Sequence, residues 1–215
     1  MKLIFVLVTC LIPIIGWSQG VWESPVTEKN NINNDTSVSK DTTPDPDEKY
    51  LVGAVPEVNG KVEWKLDVDV PDKSAQEIYD IIFDCFTNLT KEENQLEGSC
   101  VSLVNKKEHI VVASMKEWLV FTDKLLALDR TKFNYTLIAY CKDNHLTVTM
   151  GRVSYRYDEE RIKGGHVYMA EEWINDENAL NRKKTRLLPG SAKFRRKTID
   201  RKDLVFDTIK TAVLK

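Results

Sequence analysis

The sequence is poor in the residues that mark catalytic and metal sites. Its 215 residues include three histidines, four cysteines and nine glycines. His109, His145 and His166 are isolated from one another, and the cysteines lack metal-ligand spacing. The sequence also contains no glycine-rich phosphate loop and no serine nucleophile elbow. It therefore indicates no metal site, no cofactor and no recognisable catalytic constellation.

Long apolar runs are equally scarce. One run, Leu3 to Ile15, follows Lys2 and precedes Gly16-Trp17-Ser18, which places small residues where a signal peptidase reads. It is shorter than the ~20 apolar residues of a membrane-spanning helix, and no second run occurs. We expect residues 1–18 to be a cleavable signal peptide, with no transmembrane segment in the mature chain and a periplasmic or extracellular location. A retained anchor and lipidation at Cys10 remain as alternatives.

Cysteine is too scarce for a disulfide framework. Signal-peptide cleavage leaves Cys85, Cys100 and Cys141, an odd number that cannot pair completely within one molecule. A domain of this size buries an adequate core without disulfides. We expect all three to be small buried apolar residues.

A polar segment separates the leader from the rest of the chain. Residues 19–49 are rich in Asn, Asp, Thr and Pro and contain almost no apolar residue after Val26. Such a segment cannot bury enough surface to offset the entropy lost on ordering. The composition predicts a flexible tether that leads into a single domain, residues 50–215.

The domain begins with a strand and a helix. Val62 to Val70 alternates apolar and charged residues, which is typical of a half-buried strand with Trp64 on the core face. Ser74 and Glu77 then form an S-x-x-E capping box, and apolar residues recur at helical spacing through Leu89.

Four strands follow as two hairpins. The first hairpin joins 100–104 to 109–114 through a charged turn. The second joins 133–141 to a strand that begins at Leu146 and continues to Tyr157, with a bulge at Gly151. A short helix around 170–180, a basic loop and a final helix from about Asp200 complete the chain.

These elements predict an α+β fold in two layers. Five strands form a mostly antiparallel sheet in the sequence strand-helix-four strands-helix, and helices cover its apolar face. We place the first strand beside the last, which gives the spatial order one-five-four-three-two.

Several separated stretches carry a family resemblance. They are Leu51–Lys61, Glu117–Phe121, Leu128–Tyr135, Ala170–Ile174 and Lys193–Asp200. In this order they resemble exported proteins of Bacteroides-type bacteria that contain domain of unknown function 4468, with a fold like that of TATA-binding protein (TBP). The resemblance implies export and the topology above. It implies no activity, and likeness to a DNA-binding fold is no warrant for DNA binding.

The densest charge feature is a basic block at 182–202, which has ten positive residues and one acidic residue, Asp200. The candidate binding residues are Arg182, Lys183, Lys184, Arg186, Lys193, Arg195, Arg196 and Lys197. Their field would attract an anionic envelope component or an acidic protein surface. In the alternative interpretation the block is structural, with Phe194 packed and the arginines paired with carboxylates of the fold.

Two further features bear on the partner. The exposed face of the first strand carries Glu63, Asp67 and Asp69, which would repel phosphate, so we expect no nucleic-acid partner. Four aromatic residues are candidates for a surface groove, although packing is their commoner role: Trp118, Trp173, Tyr155 and Tyr157.

The leading hypothesis is a non-enzymatic binding or interaction module of the cell envelope. One alternative is an enzyme with dispersed catalytic groups drawn from Asp158, Glu160 and His166. Another is a structural subunit of an envelope assembly, which would show as an exposed apolar patch or as an unpaired sheet edge, such as the strand that begins at Cys100.

Cleavage of the leader is directly testable. Because Gly16 and Ser18 occupy the two small-residue positions, the mature protein from an exporting bacterial host should begin at Gln19. Intact-mass spectrometry of the purified protein measures this. A chain that keeps Met1, or one acylated at Cys10, would contradict the prediction.

Overall fold

A computed structural model describes residues 46–124, 127–159 and 164–215. The predicted signal peptide, Cys10, almost all of the predicted tether and Glu160 lie outside these ranges. Within them the chain has the predicted α+β fold, and no helix there is long and apolar enough to cross a membrane.

The secondary-structure elements follow one another as predicted, with additions. They are β1 (Glu57–Val58), β2 (Lys61–Asp69), α1 (Ala75–Leu89), β3 (Cys100–Asn105), β4 (Ile110–Lys124), β5 (Ala127–Lys142), β6 (His145–Tyr157), β7 (His166–Met169), α2 (Ala170–Trp173), α3 (Asp176–Ala179) and α4 (Pro189–Leu214). A one-turn 3-10 helix, Glu48–Tyr50, precedes β1.

The sheet is antiparallel throughout, in the order β1-β2-β6-β5-β4-β3. The predicted order one-five-four-three-two is confirmed, because β2 lies beside β6. The described strands number seven rather than five: β7 pairs with the second half of β6, and β1 pairs with β2. Strands of two and four residues are too short to show alternation in a sequence.

The central hairpin is longer than predicted. β4 continues ten residues beyond Ser114, to Lys124, and β5 begins at Ala127 rather than Phe133. Glu117 occupies a core-facing position of β4, so a charged residue interrupts the alternation of apolar residues in the sequence. A register shift between Val120 and Thr122 then changes the face on which later residues lie.

The bulge predicted in β6 is present. Thr136 of β5 lies opposite Gly151, but Asn134 lies opposite Ser154, so β6 carries one extra residue. Arg152 in this bulge has a left-handed backbone, with φ 54°. The extra residue returns Tyr155 to the core face, where it is fully buried.

The helices cover one face of the sheet. The predicted capping box of α1 is confirmed: Glu77 N donates to Ser74 Oγ at 3.3 Å, and Ser74 N donates to the Glu77 carboxylate at 2.8 Å. Ile78, Ile82 and Phe86 of α1 are fully buried over the sheet. The helix predicted around 170–180 is instead two one-turn helices, α2 and α3.

The last helix begins eleven residues earlier than predicted, at Pro189 rather than about Asp200. Pro189 suits a first helical position because its fixed φ matches the helix. Phe194, Thr198 and Ile199 form the buried stripe of the first turns. The basic residues between them made this stretch look like a loop.

The cysteines do not share one environment. Cys85 and Cys141 are buried as predicted, but Cys100 is exposed, so the prediction of three buried cysteines was wrong. Cys100 lies opposite Ser114, on the sheet face that the helices leave uncovered. No disulfide joins these three residues.

Thiol reactivity should separate the three cysteines. Burial raises the pKa of Cys85 to about 11 and that of Cys141 to about 12. Because the thiolate is the nucleophile, both raised pKa values suppress reaction near pH 8. An aromatic disulfide reagent should modify one thiol of the native mature protein rapidly and the other two only after unfolding. Cys100→Ser should abolish the rapid phase, and rapid modification of a second thiol would contradict this assignment.

Candidate functional site

Arg195, a predicted binding residue, is completely buried. Its Nε donates to the carbonyl of Tyr50, and Nη2 donates to that of Leu51, both at 2.6 Å. Nη1 donates to the carbonyl of Ile174, and Nη2 also reaches Asp176 Oδ1, again at 2.6 Å. Burial lowers the pKa of this guanidinium, and the hydrogen bond with Asp176 opposes that shift. Arg195 therefore has a structural role.

Other members of the basic block are also paired with carboxylates. Arg196 makes a two-point contact with Asp47, at 2.7 and 2.5 Å. Lys193 Nζ lies 2.8 Å from Asp129 Oδ2, and Lys184 pairs with Glu177. The structural interpretation of the block thus holds for these residues, and Phe194 is packed as that interpretation requires.

Arg201, at the end of the basic block, pairs with a buried carboxylate. Glu117 is fully buried in β4 and accepts hydrogen bonds from Arg201 Nε and Nη2, both at 2.8 Å. Asn94 and Gln95 donate to the same carboxylate. Burial lowers the pKa of Arg201, but the hydrogen bonds to Glu117 and Glu92 and the negative charge around the guanidinium together outweigh it, so the pKa is raised. Arg201 also contacts Glu92 at 2.5 Å.

Four of the eight predicted binding residues remain accessible: Arg182, Lys183, Arg186 and Lys197. The first three lie on the loop between α3 and α4, and Lys197 lies on α4. None of them has an ion pair in the part of the chain that the structure describes. A binding role for the block stays a prediction, and it now applies to these four side chains.

The proposed catalytic group cannot be assembled from the described residues. Glu160 lies outside them, and His166 stacks on Tyr168 with ring centroids 5.8 Å apart. In the same ranges no cluster of three His, Cys, Asp or Glu side chains could hold a metal ion. The dispersed-enzyme alternative stays a hypothesis.

The face of the sheet opposite the helices, here called the open face, carries a cluster of four cations that sequence reasoning missed. Arg130, Lys132 and Arg156 come from β5 and β6, and Lys116 comes from β4. Trp118 lies directly opposite Lys132, which lies opposite Arg156. The sequence does contain a signal for it, because residues that alternate with buried ones along a strand point outward. Lys132, for example, lies between the buried Thr131 and Phe133.

These side chains line two adjoining hollows of 360 and 650 Å³. The smaller is lined by Trp118, Leu128, Asp129, Arg130, Lys132, Arg156, Asp158 and Glu159. The larger is lined by Leu96, Glu97, Lys116, Lys132, Asn134, Ser154, Arg156, Val167 and Met169. Because Lys132 and Arg156 line both, the two hollows are neighbours, and together we call them the charged trough.

Charges in the trough are arranged in specific pairs. Lys132 Nζ lies 2.5 Å from Glu159 Oε2, and Arg156 Nη1 lies 3.7 Å from Glu159 Oε1. The hydrogen bond from Lys132 lowers the pKa of Glu159, so this carboxylate stays ionised at neutral pH. The Arg130 guanidinium lies 3.8 Å from the centroid of the Trp118 ring. Of the predicted groove aromatics, Trp118 lines a hollow but Tyr155 is buried.

At the end of β4 and β5 away from the trough, the open face is apolar. Ile110 lies opposite Tyr140, and Val112 lies opposite both Leu103 and Ile138. Tyr140 is 42% and Leu103 55% exposed. These five neighbouring side chains, the apolar patch, occupy β3, β4 and β5.

The third part of the open face is β2, where Glu63, Asp67 and Asp69 outnumber Lys65, which pairs with Asp67 at 2.9 Å. On β2, Asp69 contacts His145 Nδ1 at 3.0 Å, and Asp67 lies 3.5 Å from His145 Nε2. Glu63, on the same strand, lies beside Gly151 of β6. The open face is therefore divided into an acidic strand, an apolar patch and a charged trough.

Comparisons with known proteins agree with the fold. The profile of a domain of unknown function (DUF4468) with a TBP-like fold matches residues 64–156. A crystal structure of a DUF4468 family protein from Bacteroides ovatus ATCC 8483 is 36% identical, covers 79% of this chain and 96% of its own, and has a TM-score of 0.73. A comparison with curated proteins finds no match.

A TBP-like protein from Parabacteroides distasonis ATCC 8503 is also similar. It is 24% identical, with 74% of this chain and 96% of its own covered, and the TM-score is 0.55. At that identity the likeness concerns the fold alone.

Arg195 and Lys197 test the division of the basic block. Arg195→Met removes the donor shared by three backbone carbonyls and Asp176, so the free energy of unfolding should fall by about 3–5 kcal/mol. Lys197→Met, two residues along the same helix but exposed, should change it by less than about 0.5 kcal/mol. Urea unfolding measures both values. Equal effects would show that Arg195 has no special structural role.

Proposed function

The chain belongs to the DUF4468 family, whose domains have a TBP-like fold, and we propose that it is a non-enzymatic interaction module that holds a protein partner on the open face of its sheet. The observation that carries this proposal is that the apolar patch and the charged trough lie on the same face of the sheet, the face that the described helices do not cover. The module works outside the cytoplasm, in the cell envelope, as the leader and the polar segment after it indicate.

The apolar patch supports a protein partner. Single exposed apolar side chains are normal on soluble proteins, but contiguous ones on a sheet face are informative. Leu103, Val112 and Ile138 are neighbours across three strands, and Ile110 and Tyr140 extend the same surface. Covering such a surface with another apolar surface removes both from water, which lowers the free energy of the system.

The charged trough supports selectivity. Charges beside an apolar contact contribute little net affinity, but they select complementary partners and fix their orientation. Lys116 and Arg130 have no ion pair within the described residues, so their charges are available to a partner. The acidic strand argues against nucleic acid, because Glu63 and the exposed Asp69 would repel its phosphates, whereas Asp67 is already paired with Lys65. We predict that an anionic part of the partner makes a second contact, with the accessible cations of the basic block: Arg182, Lys183, Arg186 and Lys197.

Photo-crosslinking in the native envelope tests this proposal. A photoreactive residue at Val167, in the trough, should capture one main partner, whereas the same residue at Leu204, on α4, should not. The two positions are matched because their side chains are 59% and 57% exposed. The Val167 crosslink should weaken at high salt and in the double variant Lys132→Ala/Arg156→Ala.

The two positions also define the contrary results. Equal capture from Val167 and Leu204 would mean that the open face is not the preferred surface. A Val167 crosslink that survives the double variant would remove the trough from the proposal. Circular dichroism should first show that each variant is folded.

A further inference from the structure

The charged trough holds one of its own carboxylates where a ligand could lie. The two oxygens of Glu159 face two different cations, Lys132 at 2.5 Å and Arg156 at 3.7 Å. We propose that the trough receives an extended acidic segment of a partner protein, and that Glu159 occupies the position of one partner carboxylate. This inference rests on the proposed function and specifies its partner.

Glu159 is suited to be displaced. Its side chain is 27% exposed, and those of Lys132 and Arg156 are 40% and 59% exposed. Ion pairs at such exposure contribute little to stability, because water and salt screen them. The contact with Arg156 is also longer than a hydrogen bond. A partner carboxylate that contacts both cations closely can therefore replace Glu159 at little cost.

The spacing of the cations fits an extended polypeptide. Lys116, Lys132 and Arg130 lie in three successive outward rows of the sheet, because Lys116 is opposite Asn134, Trp118 opposite Lys132, and Val120 opposite Arg130. Successive outward rows are two residues apart, about 6.6–6.8 Å along a strand. In an extended segment, residues i, i+2 and i+4 have the same spacing. Acidic residues at every second position would thus meet one cation each.

The walls of the trough favour a polypeptide over an acidic polysaccharide. Leu128 and Val167 are 48% and 59% exposed there, and they can pack against aliphatic side-chain stems. The uncharged hydrogen-bonding side chains of the lining, Asn134 and Ser154, are already bonded to each other at 3.4 Å. The Trp118 ring, the aromatic surface on which a sugar could stack, carries the Arg130 guanidinium. The stacking surface that a sugar ring would use is therefore already occupied.

Fluorescence anisotropy with the mature protein tests the inference. The probe is a labelled octapeptide that alternates Glu and Thr, and its control is a peptide of the same composition with its Glu residues contiguous. The alternating peptide should bind more tightly, because all its carboxylates can face the sheet. Lys132→Ala should weaken that binding.

The Glu159→Gln variant tests the displaced carboxylate. It should bind the alternating peptide about two- to fivefold more tightly, the equivalent of one exposed ion pair. Glu97→Gln is the matched control, because Glu97 also lines the trough but has no ion pair within the described residues. It should change the affinity by less than about 1.5-fold, because an exposed carboxylate that pairs with none of the described cations is screened by salt and blocks no binding group.

Each other outcome has a defined meaning. Equal tightening by Glu159→Gln and Glu97→Gln would show that net charge alone matters, and would overturn the role of Glu159. Equal binding of the two peptides would overturn the spacing argument. Binding of polygalacturonate in place of either peptide would identify a glycan and overturn the proposal. If no probe binds but the Val167 crosslink persists, this inference fails while the proposed function stands.

Discussion

The described fold depends on the hydrogen bonds that the buried guanidinium of Arg195 donates. A buried cation must have all its hydrogen-bonding partners, because an unpaired buried charge is strongly destabilising. Each nitrogen of Arg195 has an acceptor, and the acceptors come from two separate parts of the chain: Tyr50 and Leu51 before β1, and Ile174 and Asp176 near the start of α3. The position of α4 over the sheet is thereby fixed, and six residues later the same helix brings Arg201 to the buried Glu117.

This use of arginine explains why the basic block is not a uniform surface. One helix carries cations that point into the protein, such as Arg195, and cations that point outward, such as Lys197. A run of positive residues in a sequence cannot distinguish these roles, because the acceptors of Arg195 lie up to 145 residues away. The open face combines residues of several strands, and it carries exposed apolar side chains such as Leu103 and Tyr140 as well as charges.

Local patterns predicted most of the fold and little of the candidate site. The alternation of β2 and the capping box of α1 depend on neighbouring residues, so the sequence predicts them well. The start of α4 and the far half of the β4–β5 hairpin were missed because Arg195 and Glu117 occupy inward positions that an apolar pattern excludes. The trough was missed because Lys116, Lys132 and Arg156 become neighbours only through strand pairing.

The way the chain enters the described region determines how it would bear mechanical load. Asp47 forms an ion pair with Arg196, and Lys49 forms one with Asp200. The carbonyl of the next residue, Tyr50, accepts a hydrogen bond from the buried Arg195. A pull from the amino-terminal side would therefore act first on contacts with α4, in the helix layer. The open face lies on the opposite side of the sheet, so tension would reach it only after these contacts had broken.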